Sequence, residues 1–129
     1  MLLSARDEET GETMTDEQLR VEVMTFLLAG QETTSLALTW TWYLLSQHAG
    51  AQRRLEEEID SALNGLRPEY SDLGNLPYTR MVIDEAMRLY PPAWGFSRQA
   101  LADDHLGGFP LPRGWLAFVI PYVLHRLPA

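Results

Sequence analysis

The sequence has 129 residues, a length typical of a single domain, and its 46% hydrophobic and 22% charged residues are the usage of a folded globular chain. Eighteen acidic against ten basic residues give a net charge of −8. This balance argues against a nucleic-acid partner and against a polybasic membrane anchor, because both need clustered Lys and Arg. The sequence contains no cysteine, which excludes disulfides, thiolate catalysis and Cys-ligated metals within these residues.

The N-terminal segment carries no basic stretch followed by a long apolar run, so it predicts no signal peptide. The most apolar region, residues 21–45, is interrupted by Glu22 and by the polar run 31–35. Neither half reaches the roughly 20 apolar residues that span a bilayer. We therefore expect a soluble, cytoplasmic chain.

A long helix is predicted to begin after Thr15, which can cap it, with Gln18 completing a capping box. Gly30 is the single Gly or Pro between Thr15 and about residue 47, so the helix is expected to run for roughly 32 residues, close to 50 Å. The remaining residues cannot cover an apolar helix of that length. The chain is therefore expected to be part of a larger body.

Further elements follow in chain order. Residues 51–63 predict an amphipathic helix that Asn64-Gly65 ends, and residues 78–90 predict another that Pro91-Pro92 ends. The second of these has an expected buried stripe of Met81, Val82, Ala86 and Leu89. Segments 96–100 and 115–120 read as strands, with a small hairpin between them and one helical turn at 122–126.

Two constellations can carry chemistry. In residues 29–34, Ala-Gly-Gln-Glu-Thr-Thr, glycine and hydroxyl residues weaken the middle of the long helix. Thr33 can donate to the Ala29 carbonyl and open the helix locally, with the Glu32 carboxylate beside it; a simple helix crossing at small residues is the alternative. Glu85 and Arg88, at i and i+3, can pair on one face, although such pairs are common on exposed helices.

Together these segments resemble the cytochrome P450 family. The pattern is A-G-x-E-T-T at 29–34, E-A-M-R-L-Y-P-P at 85–92, Ser-Arg at 97–98 and G-x-P-L-P-x-G at 108–114. The resemblance implies a mainly α, partial P450 fold: the long I helix, the J and K helices and then short β-strands. It also implies that residues 1–129 are an internal fragment of a single P450 domain.

The resemblance further implies a haem-thiolate monooxygenase that inserts one oxygen atom from O2 into a small apolar organic substrate. Electrons would come from NAD(P)H through a ferredoxin, a flavodoxin or a P450 reductase. The expected cofactor is haem b, with no metal other than its iron and no iron ligand in this chain, because the family's axial cysteine loop is missing. The isolated chain is expected to be inactive, and to aggregate or remain molten if expressed alone.

The resemblance assigns roles residue by residue. Ala29 and Gly30 would line the oxygen-binding groove, and Thr33 and Glu32 would be the catalytic hydroxyl and carboxylate of a proton relay. Glu85 and Arg88 would form the structural E-x-x-R pair. Arg98 would bind a haem propionate, with a surface arginine as the alternative. The substrate pocket would include Ala93, Trp94, Gly95 and Phe96, with ordinary core aromatics as the alternative reading of the two rings.

Two other functions remain open at this stage. An inactive remnant, or a helical interaction protein that binds no haem, is consistent with the absence of cysteine. A haem sensor or carrier would need an axial histidine. The sequence has three histidines, His48, His105 and His125. No two of them have the spacing of metal ligands, and none lies where the haem face is inferred.

Overall fold

The computed structural model describes residues 5–128, in which three α-helices and a 3₁₀ helix precede four strands and a last short helix follows them. The elements are α1 (Asp16–Gln47), α2 (Ala49–Leu63), a 3₁₀ helix (Tyr70–Asn75), α3 (Pro77–Leu89), β1 (Phe96–Gln99), β2 (Asp104–Leu106), β3 (Phe109–Leu111), β4 (Leu116–Val119) and α4 (Pro121–Leu124). The predicted mainly α architecture is confirmed. The chain divides into two compact units, one ending at Ser35 and one beginning at Leu36; the single-domain assignment stays a prediction.

Local hydrogen bonds order residues 5–15, the described part of the segment before α1. The Asp7 carboxylate accepts from the backbone amides of Thr10 at 2.7 Å and Glu9 at 3.0 Å. These bonds, led by the one from Thr10, lower the pKa of Asp7. The prediction of no signal peptide concerns residues that lie partly outside the described range.

The capping box at the start of α1 is confirmed. The Thr15 hydroxyl accepts from the Gln18 amide at 3.2 Å, and the Gln18 side chain accepts from the Thr15 amide at 2.9 Å. These bonds satisfy donors that a helix start leaves unpaired. The helix then extends for 32 residues, as predicted. None of the described residues up to Ser35 is buried.

Helix α2 begins at Ala49, two residues before the predicted start, because the expected break is confined to His48. It ends as predicted at Asn64 and Gly65, which both adopt left-handed backbone conformations with φ of 49° and 77°. An asparagine followed by a glycine accepts this geometry at little steric cost. The 3₁₀ helix that follows was not predicted; a reciprocal Glu69–Asp72 capping box holds it.

The four strands form two antiparallel pairs. Strand β1 pairs with β4, and Arg98 lies opposite Ala117. Strand β2 pairs with β3 across the turn at Gly107 and Gly108, whose φ angles are positive. This inner pair confirms the predicted hairpin, and α4 confirms the predicted helical turn, beginning one residue earlier.

The core lies in the unit that begins at Leu36. Its buried residues are Thr41 and Leu45 of α1, Leu55 and Leu63 of α2, Leu76, and Ala86 of α3. The predicted stripe of α3 is only partly correct, because Val82 and Leu89 are half-buried and Met81 is 53% exposed. In residues 5–128, no helix has the length and apolar character needed to cross a bilayer.

Candidate functional site

Residues 29–34 lie on an exposed stretch of α1. The Thr33 hydroxyl donates to the Ala29 carbonyl oxygen at 2.6 Å, as the sequence predicts. A Cβ atom placed on Gly30 would have no heavy atom within 4 Å. Since the Thr33 proton is used within the helix, its oxygen lone pairs remain able to accept a hydrogen bond. An exposed glycine without a side chain and a hydroxyl acceptor therefore lie within one turn of each other.

The local opening that the sequence predicts in α1 is wrong. The α-helix continues from Asp16 to Gln47 without interruption. Thr25 makes the same bond to the carbonyl four residues earlier, 2.8 Å to Val21, and Ser35 bonds to Gln31 at 2.7 Å. A hydroxyl that bonds back to its own helix satisfies itself without breaking the ladder.

Glu85 and Arg88 form a bidentate ion pair on α3. The Arg88 Nε–H donates to Glu85 Oε2 at 2.6 Å, and the Nη2–H donates to Oε1 at 2.7 Å. The Glu85 side chain is 56% exposed and the Arg88 side chain is 45% exposed. The hydrogen bond from Arg88 lowers the pKa of Glu85, against a smaller opposing effect of desolvation, and the same bond raises the pKa of Arg88. Both groups are thus held in their charged forms.

The pair is also connected to the segment after α4. The Arg88 Nη1–H donates to the His125 carbonyl oxygen at 3.0 Å. In return, the His125 ring Nδ1 lies 3.0 Å from the Arg88 carbonyl oxygen, and must carry the hydrogen because a carbonyl can only accept. This reciprocal contact joins two residues 37 positions apart. It was not predicted, and no local sequence signal reports it.

Aromatic side chains reinforce the same end of α3. The Tyr90 ring stacks on Trp40 with centroids 4.2 Å apart and planes 8° from parallel. The Arg126 guanidinium lies 5.3 Å from the Tyr90 centroid and 3.9 Å from that of Tyr122. Stacked rings and cation–π contacts each stabilise by about 0.5–1.5 kcal/mol. The C-terminal end of α3 is thus fixed by three kinds of contact.

The predicted substrate-pocket residues form an exposed bend that leads into β1. Ala93, Trp94 and Phe96 are exposed, and Gly95 is half-buried. A Cβ at Gly95 would meet the Val119 carbonyl oxygen at 3.5 Å, an ordinary contact. The assignment of this bend to a substrate pocket stays a prediction.

Arg98 is exposed and engaged locally. Its Nη1–H donates to the Ser97 carbonyl oxygen at 3.0 Å, and the guanidinium lies 5.0 Å from the Phe96 ring centroid. The remaining guanidinium hydrogens leave capacity to bind an anion, since arginine carries five donors. Its predicted role toward a haem propionate stays a prediction.

A cavity of about 410 Å³ opens between the C-terminal part of α1, the start of α2 and one side of α3, in the unit that begins at Leu36. Its lining includes Thr41, Leu45, His48, Tyr78, Met81 and Ala86. The ring Nδ1 of His48 lies 2.8 Å from the Leu44 carbonyl oxygen. Within residues 5–128, no group of three or more His, Cys, Asp or Glu side chains is arranged to hold a metal ion.

The sequence reasoning also missed Glu58. Its carboxylate leaves α2 and accepts hydrogen bonds from Tyr78 and Thr79 in the first turn of α3. A signal exists, because α3 begins at Pro77 after Leu76, a residue with no side chain able to cap a helix. A helix start without its own capping side chain predicts that a hydrogen-bond acceptor comes from another part of the chain. It does not identify the residue that supplies this acceptor.

The chain matches the family model described as cytochrome P450 over residues 1–129. It is 49% identical over 128 residues to cyclooctatin synthase and 41% identical over 127 to cyclooctat-9-en-7-ol 5-monooxygenase, both from Streptomyces melanosporofaciens. It is 42% identical over 127 residues to the bifunctional cytochrome P450/NADPH–P450 reductase 2 of Bacillus subtilis.

These alignments cover 99%, 98% and 98% of the chain, respectively. The chain spans 28% of the length of the first two relatives and 12% of the third. With the motifs at 29–34 and 85–88 on helices in the predicted order, the chain belongs to the cytochrome P450 family.

Proposed function

We propose that the chain is part of a haem monooxygenase, which inserts one oxygen atom from O2 into a small apolar organic substrate. The observation that carries the proposal is the Ala-Gly-Gln-Glu-Thr-Thr motif at 29–34 of α1, in a chain that matches the cytochrome P450 family model over residues 1–129. Relatives named as a monooxygenase and as a P450 fused to an NADPH–P450 reductase support the same reaction class. They also favour NADPH as the electron source, through a reductase or another electron-transfer protein.

In this proposal, Ala29, Gly30 and Thr33 would face one side of the haem. Ala29, Gly30 and Thr33 are exposed along one turn, and no heavy atom lies within 4 Å of a Cβ position on Gly30. Arg98 has free donors suited to a carboxylate such as a propionate. When bound, haem supplies the activation of O2. The axial thiolate cannot come from this chain, which contains no cysteine.

Thr33 and Glu32 would handle protons at this face. The Thr33 oxygen, whose own proton points to the Ala29 carbonyl, is oriented to accept a hydrogen bond and so to hold a water molecule that carries the proton. The exposed Glu32 carboxylate, next in sequence, can exchange protons with solvent. Side chains at successive helix positions do not face each other, so a water molecule held by Thr33 would connect it with the Glu32 carboxylate for general acid–base transfer.

Glu85 and Arg88 take no part in proton transfer in this proposal. Their bidentate pair and the contact with His125 fix the end of α3 against the chain segment that follows α4. The role is structural.

The reaction class is tested on the protein expressed from its whole gene, supplied with haem, reduced and exposed to carbon monoxide. An absorption maximum at the wavelength for which the family is named supports thiolate ligation and a monooxygenase. Absence of haem binding supports the second candidate, an inactive remnant or a helical interaction protein. The zero cysteine count is the observation that favours this candidate.

The proton relay has a matched control within α1. Thr33→Ala is expected to reduce the product formed per O2 consumed by about a hundred-fold, the low end of general acid–base contributions. Thr25→Ala removes the same kind of back-bonded hydroxyl and is expected to leave this ratio unchanged. Equal effects of the two variants would contradict the assignment of Thr33.

A further inference from the structure

The first turn of α3 has no cap of its own. Pro77 occupies the first position, Leu76 makes no side-chain capping bond, and the turn contains no acidic residue. Proline has no N–H, and the Arg80 amide bonds to the Leu76 carbonyl at 3.2 Å. The amides of Tyr78 and Thr79 therefore need an acceptor from another element.

Glu58 of α2 supplies that acceptor for both amides. Its Oε1 accepts from the Tyr78 amide at 2.6 Å, and its Oε2 accepts from the Thr79 amide at 2.7 Å and the Thr79 hydroxyl at 2.8 Å. A carboxylate at this position also complements the positive end of the helix dipole. All donors in the first turn of α3 are thereby satisfied.

The surroundings keep Glu58 ionised. Desolvation by itself raises the pKa of Glu58, but the bonds from Tyr78 and Thr79, together with the charge of Arg54, outweigh it, so the pKa lies below its ordinary value. The Arg54 guanidinium is in turn placed 4.2 Å from the Tyr78 ring centroid. The helix start is thus held by one anion with a cation beside it.

We propose that Glu58 is a positioning residue. It fixes the position of α3 along its axis and its rotation about that axis, and in this way it places the Glu85–Arg88 pair. Two carboxylate oxygens on two successive amides, about 100° apart around the axis, constrain rotation as well as translation. Glu85 lies six residues beyond Thr79, about 9 Å along a rigid helix. The link from this pair to a haem pocket rests on the proposed function.

The test compares Glu58→Gln, which keeps the shape but offers one acceptor and no charge, with Glu57→Gln, an equal charge change at an exposed neighbour. Both are made in the protein expressed from its whole gene. Amide hydrogen exchange is measured across α3, and the Arg88 Nε–H is followed by NMR. Thr79→Val, which removes only the hydroxyl contact, is a milder variant in case Glu58→Gln fails to fold.

Glu58→Gln is expected to raise exchange at Tyr78 and Thr79 by about ten-fold, and to shift or broaden the Arg88 Nε–H signal. Thr79→Val should cause a smaller change of the same kind, and Glu57→Gln none. Unchanged exchange in α3, or raised exchange with an unchanged Arg88 signal, would overturn the proposal. A Glu57→Gln effect equal to that of Glu58→Gln would overturn it too.

Haem retention then separates this inference from the proposed function. If Glu58 acts through the pair, Glu58→Gln lowers haem retention in the wild-type background but adds nothing in an Arg88→Lys background. Additive losses would mean that Glu58 acts by another route, and would overturn the inference. If the wild-type protein takes up no haem, the proposed function fails, and the exchange and NMR results alone decide the positioning role.

Discussion

The two parts of α1 are built in different ways although they form one continuous helix. In residues 16–35, the bonds that organise the chain are local: the Thr15–Gln18 box and the hydroxyls of Thr25 and Thr33 bonded back by four residues. In residues 36–47, tertiary contacts take over, with Leu45 in the core and Trp40 stacked on Tyr90. Local bonds can be anticipated from sequence, whereas tertiary ones depend on partners far along the chain.

The largest expected effect contrasts one leucine from each part of the helix. Leu45 is 4% exposed, so Leu45→Ala should lower the free energy of unfolding by about 2–5 kcal/mol. Leu28 is 62% exposed, so in the 129-residue chain by itself Leu28→Ala should change the free energy of unfolding by less than about 0.5 kcal/mol. Urea denaturation followed by circular dichroism measures both. An equally large loss for Leu28→Ala would show that its face is covered in solution.

A smaller effect is expected from the ion pairs of α3. Arg88→Lys removes the bidentate geometry and the bond to His125, and should therefore lower the free energy of unfolding measurably. Arg80 makes a single 3.8 Å contact with Asp84 between mostly exposed side chains. Arg80→Lys should therefore leave the free energy of unfolding almost unchanged in the same denaturation experiment. Similar losses of stability for the two variants would contradict the difference expected between the two ion pairs.

Acid should weaken the second unit through Glu58 and Glu85. Both carboxyl groups have pKa values below the ordinary 4.5. Their stabilising effect is therefore complete above the unfolded-state pKa and is lost as the pH falls through the lower folded-state values. The urea concentration at the denaturation midpoint, measured from pH 6 downward, should begin to decrease once the pH is below about 4.5. Glu58→Gln should make that decrease smaller. A decline identical in the variant would exclude Glu58 as a contributor.

The smallest expected effect is that of Thr33 on folding. Thr33→Ala exchanges a back-bonded hydroxyl for a better helix former, so the free energy of unfolding should change by less than about 0.5 kcal/mol. Thermal unfolding followed by circular dichroism checks this. A larger loss would mean that Thr33 supports the fold, and would weaken the assignment of its hydroxyl to proton transfer.

The sequence predicts what depends on near neighbours. The ends of α1, the Asn64-Gly65 stop of α2 and the bond from Thr33 to Ala29 follow from residues within five positions of each other. The 3₁₀ helix was missed because a Glu69–Asp72 box competes with an otherwise loop-like composition. The expected opening of α1 was wrong because a back-bonded hydroxyl leaves the helical ladder in place.

The candidate site was predicted less completely than the fold. The pairing of Glu85 with Arg88 follows from their spacing, but its anchors do not: Glu58 lies twenty residues before Tyr78, and His125 lies 37 after Arg88. Apolar periodicity alone also placed Met81 in the core, whereas it is largely exposed. Periodicity identifies a helix face, and only the packed neighbours decide which part of that face is covered.

The Trp40–Tyr90 stack gives the protein a built-in optical reporter. Trp40 is half-buried, whereas Trp42, Trp94 and Trp115 are exposed by 66%, 65% and 62%. An indole locked parallel to a phenol ring sits in a fixed asymmetric environment, while exposed indoles average over many orientations. The near-ultraviolet ellipticity should therefore arise mainly from Trp40, and its loss would signal separation of α1 from the end of α3 before any helix melts.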